Sequence, residues 1–250
     1  MLKSVLKKEN YYPQPSLDET ISPAKQPVNQ AKLKPKQKTT SPLLNFPSAP
    51  TLQVVSRQRV ADYGEVYTNP REVNAMLDLV KPETERLDST FLEPACGTGN
   101  FLVEILSRKL AVAARQYQKS QLEYERAAVL AISSLYGIDI LADNAAVCHA
   151  RLFEVFNSQY NAHYKTKCKQ ACGNTVRHIF RRNILQGDTL SFKTSAGNPI
   201  IFSEWKFPFN DSRIQRRDYL FEQMCRSADG LAPPVKSYSP SHFLELGDAE

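Results

Sequence analysis

Phe91-Leu-Glu-Pro-Ala-Cys-Gly-Thr-Gly-Asn-Phe-Leu102 is the stretch whose reading decides the fold. Thr90 to Leu92 predicts a short strand, Cys96 to Asn100 a tight glycine turn, and Phe101 to Leu110 a helix with apolar residues at helical spacing. In an open α/β sheet this order puts a turn at the carboxyl edge of a strand and aims a helix N-terminus at whatever binds there. Gly97 and Gly99 allow a sharp turn and a close backbone approach to a ligand. Glu93 and Pro94 close the strand before the glycines, which makes the string more specific than a glycine pair alone.

Three further segments keep step with it. Upstream lies Gly64-Glu-Val-Tyr-Thr-Asn-Pro70; downstream lie Tyr136-Gly-Ile-Asp-Ile140 and Ile184-Leu-Gln-Gly-Asp188. Together they resemble motif I, the preceding Gly-x-x-Tyr-Thr-Pro element, and the second and third cofactor motifs of class I methyltransferases. The form is that of N6-adenine DNA methyltransferases of restriction-modification systems. The likeness covers about Arg57 to Leu244 and is nearest to short proteins labelled restriction-system methylase (M) subunits or SAM-dependent DNA methyltransferases. It implies an α/β fold: a Rossmann-like, mostly parallel sheet flanked by helices.

S-adenosylmethionine presents a sulfonium cation, a ribose diol and an adenine ring. Asp139, ending the second strand, has the chemistry to accept two ribose hydroxyl bonds, as an acidic residue does in dinucleotide folds. The resemblance implies that Tyr67 and Thr68 sit beside the methionine half and that Glu93 reaches its amino group. It further implies that the backbone of Ala95, Cys96, Gly97 and Gly99 lines the cofactor, with Ile140 in the same site and Asp188 set for the adenine amine. A nicotinamide or flavin site is the competing reading of a Gly turn before a helix. Leu102 stands where the third glycine of Gly-x-Gly-x-x-Gly would be, which rejects it.

The Asn/Asp-Pro-Pro-Tyr/Phe tetrapeptide that binds the target amine in N6-adenine enzymes is missing from the sequence. Asn198-Pro-Ile-Ile201 falls near its expected place without the second proline or the aromatic, and Asn69-Pro70 belongs to a helix start. Trp205, Phe207 and Phe209 offer stacking rings from an unfamiliar loop, or core. The catalytic residue therefore stays unassigned. The implied function is adenine-specific DNA methylation; the alternatives are a degenerate SAM-binding subunit working with a partner, and methylation of RNA or another acceptor. With about 190 residues after the tail, the chain has no room for a target-recognition domain, so a partner subunit is expected to read DNA sequence.

The rest of the chain bounds this reading. Residues 1–55 carry eight prolines among Lys, Gln, Ser and Thr, and predict a disordered basic tail ahead of a domain over 56–250. Lys32 to Lys38 could hold nucleic-acid phosphates or be solvated linker. The net charge of +6 at 250 residues suits a nucleic-acid partner but sits largely in that tail. No apolar run is long enough for a bilayer, no signal-peptide core is present, and five irregularly spaced cysteines point to reduced thiols in the cytoplasm.

Helices are expected from a cap at Thr68 or Asn69, from Ser120 with Glu123 as a capping box, over Leu141 to Tyr160, and from Asn174. Asn161 to Gly173 reads as polar and aperiodic, Pro199 to Trp205 as a strand, and the segment past Arg213 as either helix or strand. Cys168-Lys-Gln-Ala-Cys172 with His163 and His178 has an unusual spacing for zinc, and no metal is expected. Two arginine clusters, Arg177, Arg181, Arg182 and Arg213, Arg216, Arg217, suit phosphate contacts or solvated faces equally.

Overall fold

The computed structural model of the chain describes residues 56–63, 65–209, 211–227 and 232–248. The expected tail over 1–55 and Gly64 lie outside the described residues. The order is α1 (Arg57–Tyr63), α2 (Pro70–Asp78), α3 (Lys81–Thr84), β1 (Phe91–Glu93), α4 (Asn100–Tyr117), α5 (Gln121–Ser133) and β2 (Leu135–Asp139). Then come α6 (Ala142–Tyr164), α7 (Gln170–Asn183), β3 (Ile184–Gln186), β4 (Ile201–Lys206), β5 (Arg213–Leu220), α8 (Phe221–Arg226), β6 (Lys236–Ser237) and β7 (Ser241–His242).

The local chemistry explains most boundaries. Asn69 caps α2, its side chain accepting from the Arg71 N–H at 2.9 Å with Pro70 behind it. Ser120 caps α5 through the Glu123 N–H at 3.4 Å. Gly97 and Gly99 have φ of 52° and 85°, the left-handed region where a side chain is strained. A Cβ at Gly99 would also meet the Cys148 sulfur at 2.6 Å, so glycine is required there on two counts.

β1, β2 and β3 form a parallel sheet in that order, with Glu93 opposite Gly137 and Asp139 opposite Gln186. Parallel strands need cover on both faces. Leu135 and Ile184 join Leu102, Leu106, Leu152 and Phe156 in the core under α4 and α6. Tyr136 and Ile138 face the other way and meet Ile200, Phe202 and Phe221. That second layer is an antiparallel sheet in which β5 pairs with β4, β6 and β7. The expected α/β sheet flanked by helices is therefore present, but its parallel part has three strands, and four strands build a separate antiparallel sheet on one face.

Three local expectations are corrected. The segment from Gln170 is helical, not aperiodic: α7 begins four residues before Asn174 and buries Cys172, Thr175, Val176 and Ile179. β5 settles the ambiguity past Arg213 as a strand, followed by the short α8. Trp205 is buried in the core and Phe207 packs against it, so neither is a free stacking ring; Phe209 stays exposed beneath the Arg213 guanidinium. Phe243 docks back fully buried, its carbonyl accepting from the Thr175 hydroxyl at 2.6 Å.

Candidate functional site: the carboxyl edge of the parallel strands

The carboxyl ends of β1, β2 and β3 bring together Glu93, Asp139 and Gln186, and the turn after β1 folds across them. The Cys96 N–H donates to the Ile138 carbonyl at 2.8 Å, which lays this turn along the end of β2. The Gly97 N–H then donates to Asp139 Oδ2 at 2.8 Å. Two motifs 42 residues apart in sequence are thus joined by one charge-assisted hydrogen bond.

Asp139 is 8% exposed, and its carboxylate is more occupied than the sequence suggests. Oδ1 accepts from the Leu141 N–H at 2.9 Å and from Asn144 Nδ2 at 3.2 Å. An ionised carboxylate has about four acceptor positions, so roughly one remains, on Oδ2. Two further donors on this carboxylate would require Asn144 to give way. Next to it Ile140 is 49% exposed, an apolar side chain just beyond the strand end. Gln186 fixes this corner by donating to the Ile140 carbonyl at 2.9 Å.

Above the turn, α4 starts at Gly99 with no side-chain cap, leaving first-turn N–H groups to face an anionic ligand. Asn100 Nδ2 donates to the Thr68 carbonyl at 3.2 Å, bringing the upstream element against this helix start. Tyr67 beside it has its hydroxyl pKa raised, chiefly by burial and then by the Glu65 carboxylate. Cys96 points its thiol into the core beside Cys148, so only its backbone can serve a ligand. Burial also raises the Glu93 carboxyl, opposed mainly by the Ala95 N–H. A half-buried carboxylate with so little compensation suits an incoming ammonium group.

Asp188 is less clearly aimed. Its Oδ1 accepts from the Leu190 N–H at 2.9 Å, and Ser191 lowers its pKa, so the carboxylate organises its own turn. The neighbouring Thr189 instead ties this loop to the first, donating to the Pro94 carbonyl at 2.6 Å. Asn198 and Pro199 belong to the same turn system: the Asn198 carbonyl accepts from Thr194 and Pro199 bridges Lys193. They do not project from a strand end.

Sequence reasoning missed the supporting layer. Arg59 of α1 binds Glu65, Asp143 at 2.5 Å and Asn144 Oδ1 at 3.2 Å, while Asn144 Nδ2 reaches Glu65 at 2.7 Å as well as Asp139. This chain locks the upstream segment onto the end of β2. From α6, Arg151 Nη1 donates to the Thr98 carbonyl at 2.7 Å, Thr98 Oγ1 at 3.1 Å and Asn100 Oδ1 at 2.7 Å. All three acceptors are neutral. No described carboxylate pairs with this half-buried guanidinium, and burial lowers its pKa. A guanidinium with no described carboxylate partner, beside an uncapped helix start, has the chemistry to meet an anionic group. Only the pairing of Arg151 with Thr98 and Asn100, not any local pattern, could have announced it.

Among the described residues no group of His, Cys, Asp and Glu is arranged to hold a metal ion, and no helix is long and apolar enough to cross a membrane. A cavity of about 220 Å³ between α7 and β5 shares no residue with this edge. Compared with protein-family models, curated proteins and solved structures, the chain finds no match.

Proposed function

We propose that this chain is a class I, Rossmann-like S-adenosylmethionine-binding subunit serving N6-adenine DNA methylation within a restriction-modification assembly. The observation that carries the proposal is the Gly97 N–H to Asp139 Oδ2 bond, which joins a glycine turn and a strand-end carboxylate at one sheet edge and so supports a shared ligand there. The remaining groups fit the same molecule: Ile140 for the adenine face, Glu93 for the ammonium, and Arg151 with the α4 start for the carboxylate. When bound, the cofactor supplies a methyl group on a sulfonium centre. The residues of the chain hold and orient it, since in-line attack by an amine depends on positioning more than on a strong base.

A partner polypeptide completes the acceptor side in this reading. Among the described residues β1 pairs only with β2, which leaves its other edge open, and Asn198-Pro199 is committed to a turn. The same two observations favour a second reading, in which the subunit binds the cofactor without any chemistry of its own. The acceptor itself, adenine in DNA or RNA or another amine, is not specified by cofactor contacts.

Calorimetric titration of the full chain with S-adenosylmethionine, beside Asp139→Ala, is the direct test. Micromolar binding weakened at least tenfold in the variant supports the cofactor site. Methyl transfer to adenine-containing DNA by the chain alone would replace the partner-dependent reading with that of a complete enzyme. A folded chain that binds no cofactor refutes both.

A further inference from the structure

The helix that precedes the carboxyl-edge segments is fastened to the fold chiefly by one side chain. α1 spans seven residues, and none of its described side chains is buried or joins either apolar core. Its first turn has no acidic residue and its last turn no basic one, so no side-chain charge favours the helix dipole. A helix this short is marginal without packing. Ser56 Oγ caps it by accepting from the Arg59 N–H at 3.1 Å, and Gln58 donates to Asp62 within it at 2.7 Å.

The Arg59 guanidinium ties this helix to the site by taking two carboxylates at once. Nε donates to Glu65 Oε2, and Nη2 to Glu65 Oε1 at 3.1 Å. Nη1 donates to Asp143 Oδ2 at 2.5 Å, and Nη2 to Asp143 Oδ1 at 3.3 Å and Asn144 Oδ1 at 3.2 Å. Such paired contacts fix the orientation of the fork. Asn144, in the first turn of α6, passes the connection on: Nδ2 donates to Glu65 Oε1 at 2.7 Å and to Asp139 Oδ1 at 3.2 Å. Three residues after Glu65, the Thr68 carbonyl accepts from Asn100 Nδ2 at 3.2 Å. Residues 65–68 are thus tied at one end to the end of β2 and at the other to the helix that follows the glycine turn. Val66, between the ties, is 57% exposed and adds little packing.

We propose that α1 and residues 65–68 form a strap across the carboxyl edge, that Arg59 is its latch, and that ligand enters and leaves when the latch opens. The latch is a property of the chain alone; the gating rests on the cofactor reading. Opening exchanges polar bonds for water and uncovers little apolar surface, which sets α1 among the least stable parts of the fold. The Asp143 side chain is 63% exposed, so water competes for that half of the latch. Arg59 and Glu65 act on Asp139 through Asn144, and are positioning residues.

Hydrogen exchange read by mass spectrometry on the full, unliganded chain tests the latch. The α1 amides are expected to exchange at least tenfold faster in Arg59→Met than in wild type, with α4 and α7 unchanged and Arg59→Lys, which keeps the charge without the fork, intermediate. Stopped-flow binding of S-adenosylhomocysteine tests the gating. Association and dissociation rate constants are both expected to rise at least fivefold in Arg59→Met, so that Kd changes less than either; simple damage to the site would speed dissociation alone. Equal α1 exchange in wild type and Arg59→Met, or faster exchange throughout the chain, overturns the latch. Faster α1 exchange with an unchanged association rate overturns the gating. A wild-type chain that binds no S-adenosylhomocysteine overturns the cofactor reading and the gating with it, while the latch stands or falls on exchange.

Discussion

Asp139→Asn tests the site in its unliganded state. The substitution keeps the shape of the side chain and exchanges one carboxylate oxygen for an NH2 donor. In the native orientation that donor would face the Gly97 N–H, 2.8 Å away. Flipping the amide moves the conflict to the Leu141 N–H and Asn144 Nδ2, at 2.9 and 3.2 Å. Either way two donors oppose each other in a site only 8% exposed. A hydrogen bond to a charged partner contributes about 1.5–3 kcal/mol, and leaving a buried donor unmade costs a similar amount. The expected loss is about 2–3 kcal/mol. For a domain of this size that lowers Tm by about 4–12 °C, at about 2–4 °C per kcal/mol. If S-adenosylmethionine is the ligand proposed above, its affinity is expected to fall as well, by about tenfold for each 1.4 kcal/mol of binding energy lost. Thermal unfolding followed by circular dichroism, with no ligand present, separates the first effect from the second. An Asp139→Asn chain that unfolds at the wild-type temperature would refute the claim that this carboxylate holds the glycine turn.

Other substitutions probe neighbouring claims. Arg151→Met removes the half-buried cation beside Thr98 and Asn100; calorimetry is expected to show S-adenosylhomocysteine binding at least tenfold more weakly, with 5′-methylthioadenosine, which lacks the carboxylate, little changed. Equal losses for both ligands would contradict a role in carboxylate binding. Lys109 is wholly buried, donating to the Leu87 carbonyl at 3.2 Å, the Ser89 carbonyl and Ser134 Oγ at 2.6 Å, and burial lowers its pKa from 10.5 to about 7. The folded state therefore binds fewer protons than the unfolded state between pH 7 and 10.5, and the Lys109 contribution to stability rises with pH across that window. The stability of wild type relative to Lys109→Met should climb between pH 7 and 9 in urea unfolding, and a flat difference would contradict the shift. Glu125, with a fully buried side chain, pairs with Lys169 at 2.8 Å and accepts from Gln121 at 2.8 Å and from the Tyr160 hydroxyl. Glu125→Ala should cost about 1–3 kcal/mol, chiefly by leaving the Tyr160 hydroxyl and the Gln121 amide without their acceptor while Lys169 stays hydrated, read by the same unfolding curves.

What was legible in the sequence is what is local. The caps at Asn69 and Ser120 announce themselves within three residues, and the Gly97 and Gly99 conformations follow from the turn that strand and helix require. β5 was not legible because its buried positions are Ile214 and Asp218. An aspartate buried by Arg216, Ser203 and Tyr238 breaks the apolar alternation that would mark a strand. Arg59 was equally hidden: its partner Asp143 is 84 residues away, and neither residue has a pattern until the fold joins them. The carboxylates at strand ends could be named in advance, but not what already occupies them. Asp188 bonds its own turn, and Asp139 retains about one free acceptor position, because strand-end carboxylates meet backbone N–H groups as readily as ligands.

The antiparallel layer bears on why so short a parallel sheet is stable and what it leaves open. Three parallel strands with one bare apolar face would not hold, since both faces of such a sheet need cover. Ile200, Phe202 and Phe221 provide that cover against Tyr136 and Ile138, and Tyr136 secures it by donating to the Ser203 carbonyl at 3.1 Å. β4 and β5 are thereby used to cover a face and do not extend the sheet beyond β1. Faces are satisfied within the described residues while the outer edge of β1 is not. An edge only three residues long, closed by Glu93 and Pro94, offers too few backbone groups to recruit strands indiscriminately. A partner would have to gain its affinity from side-chain contacts around that edge, with the ligand-binding turn immediately beside it. A polypeptide seated along β1 would stand next to Glu93 and the glycine turn, so completion of the sheet and occupation of this edge would be coupled.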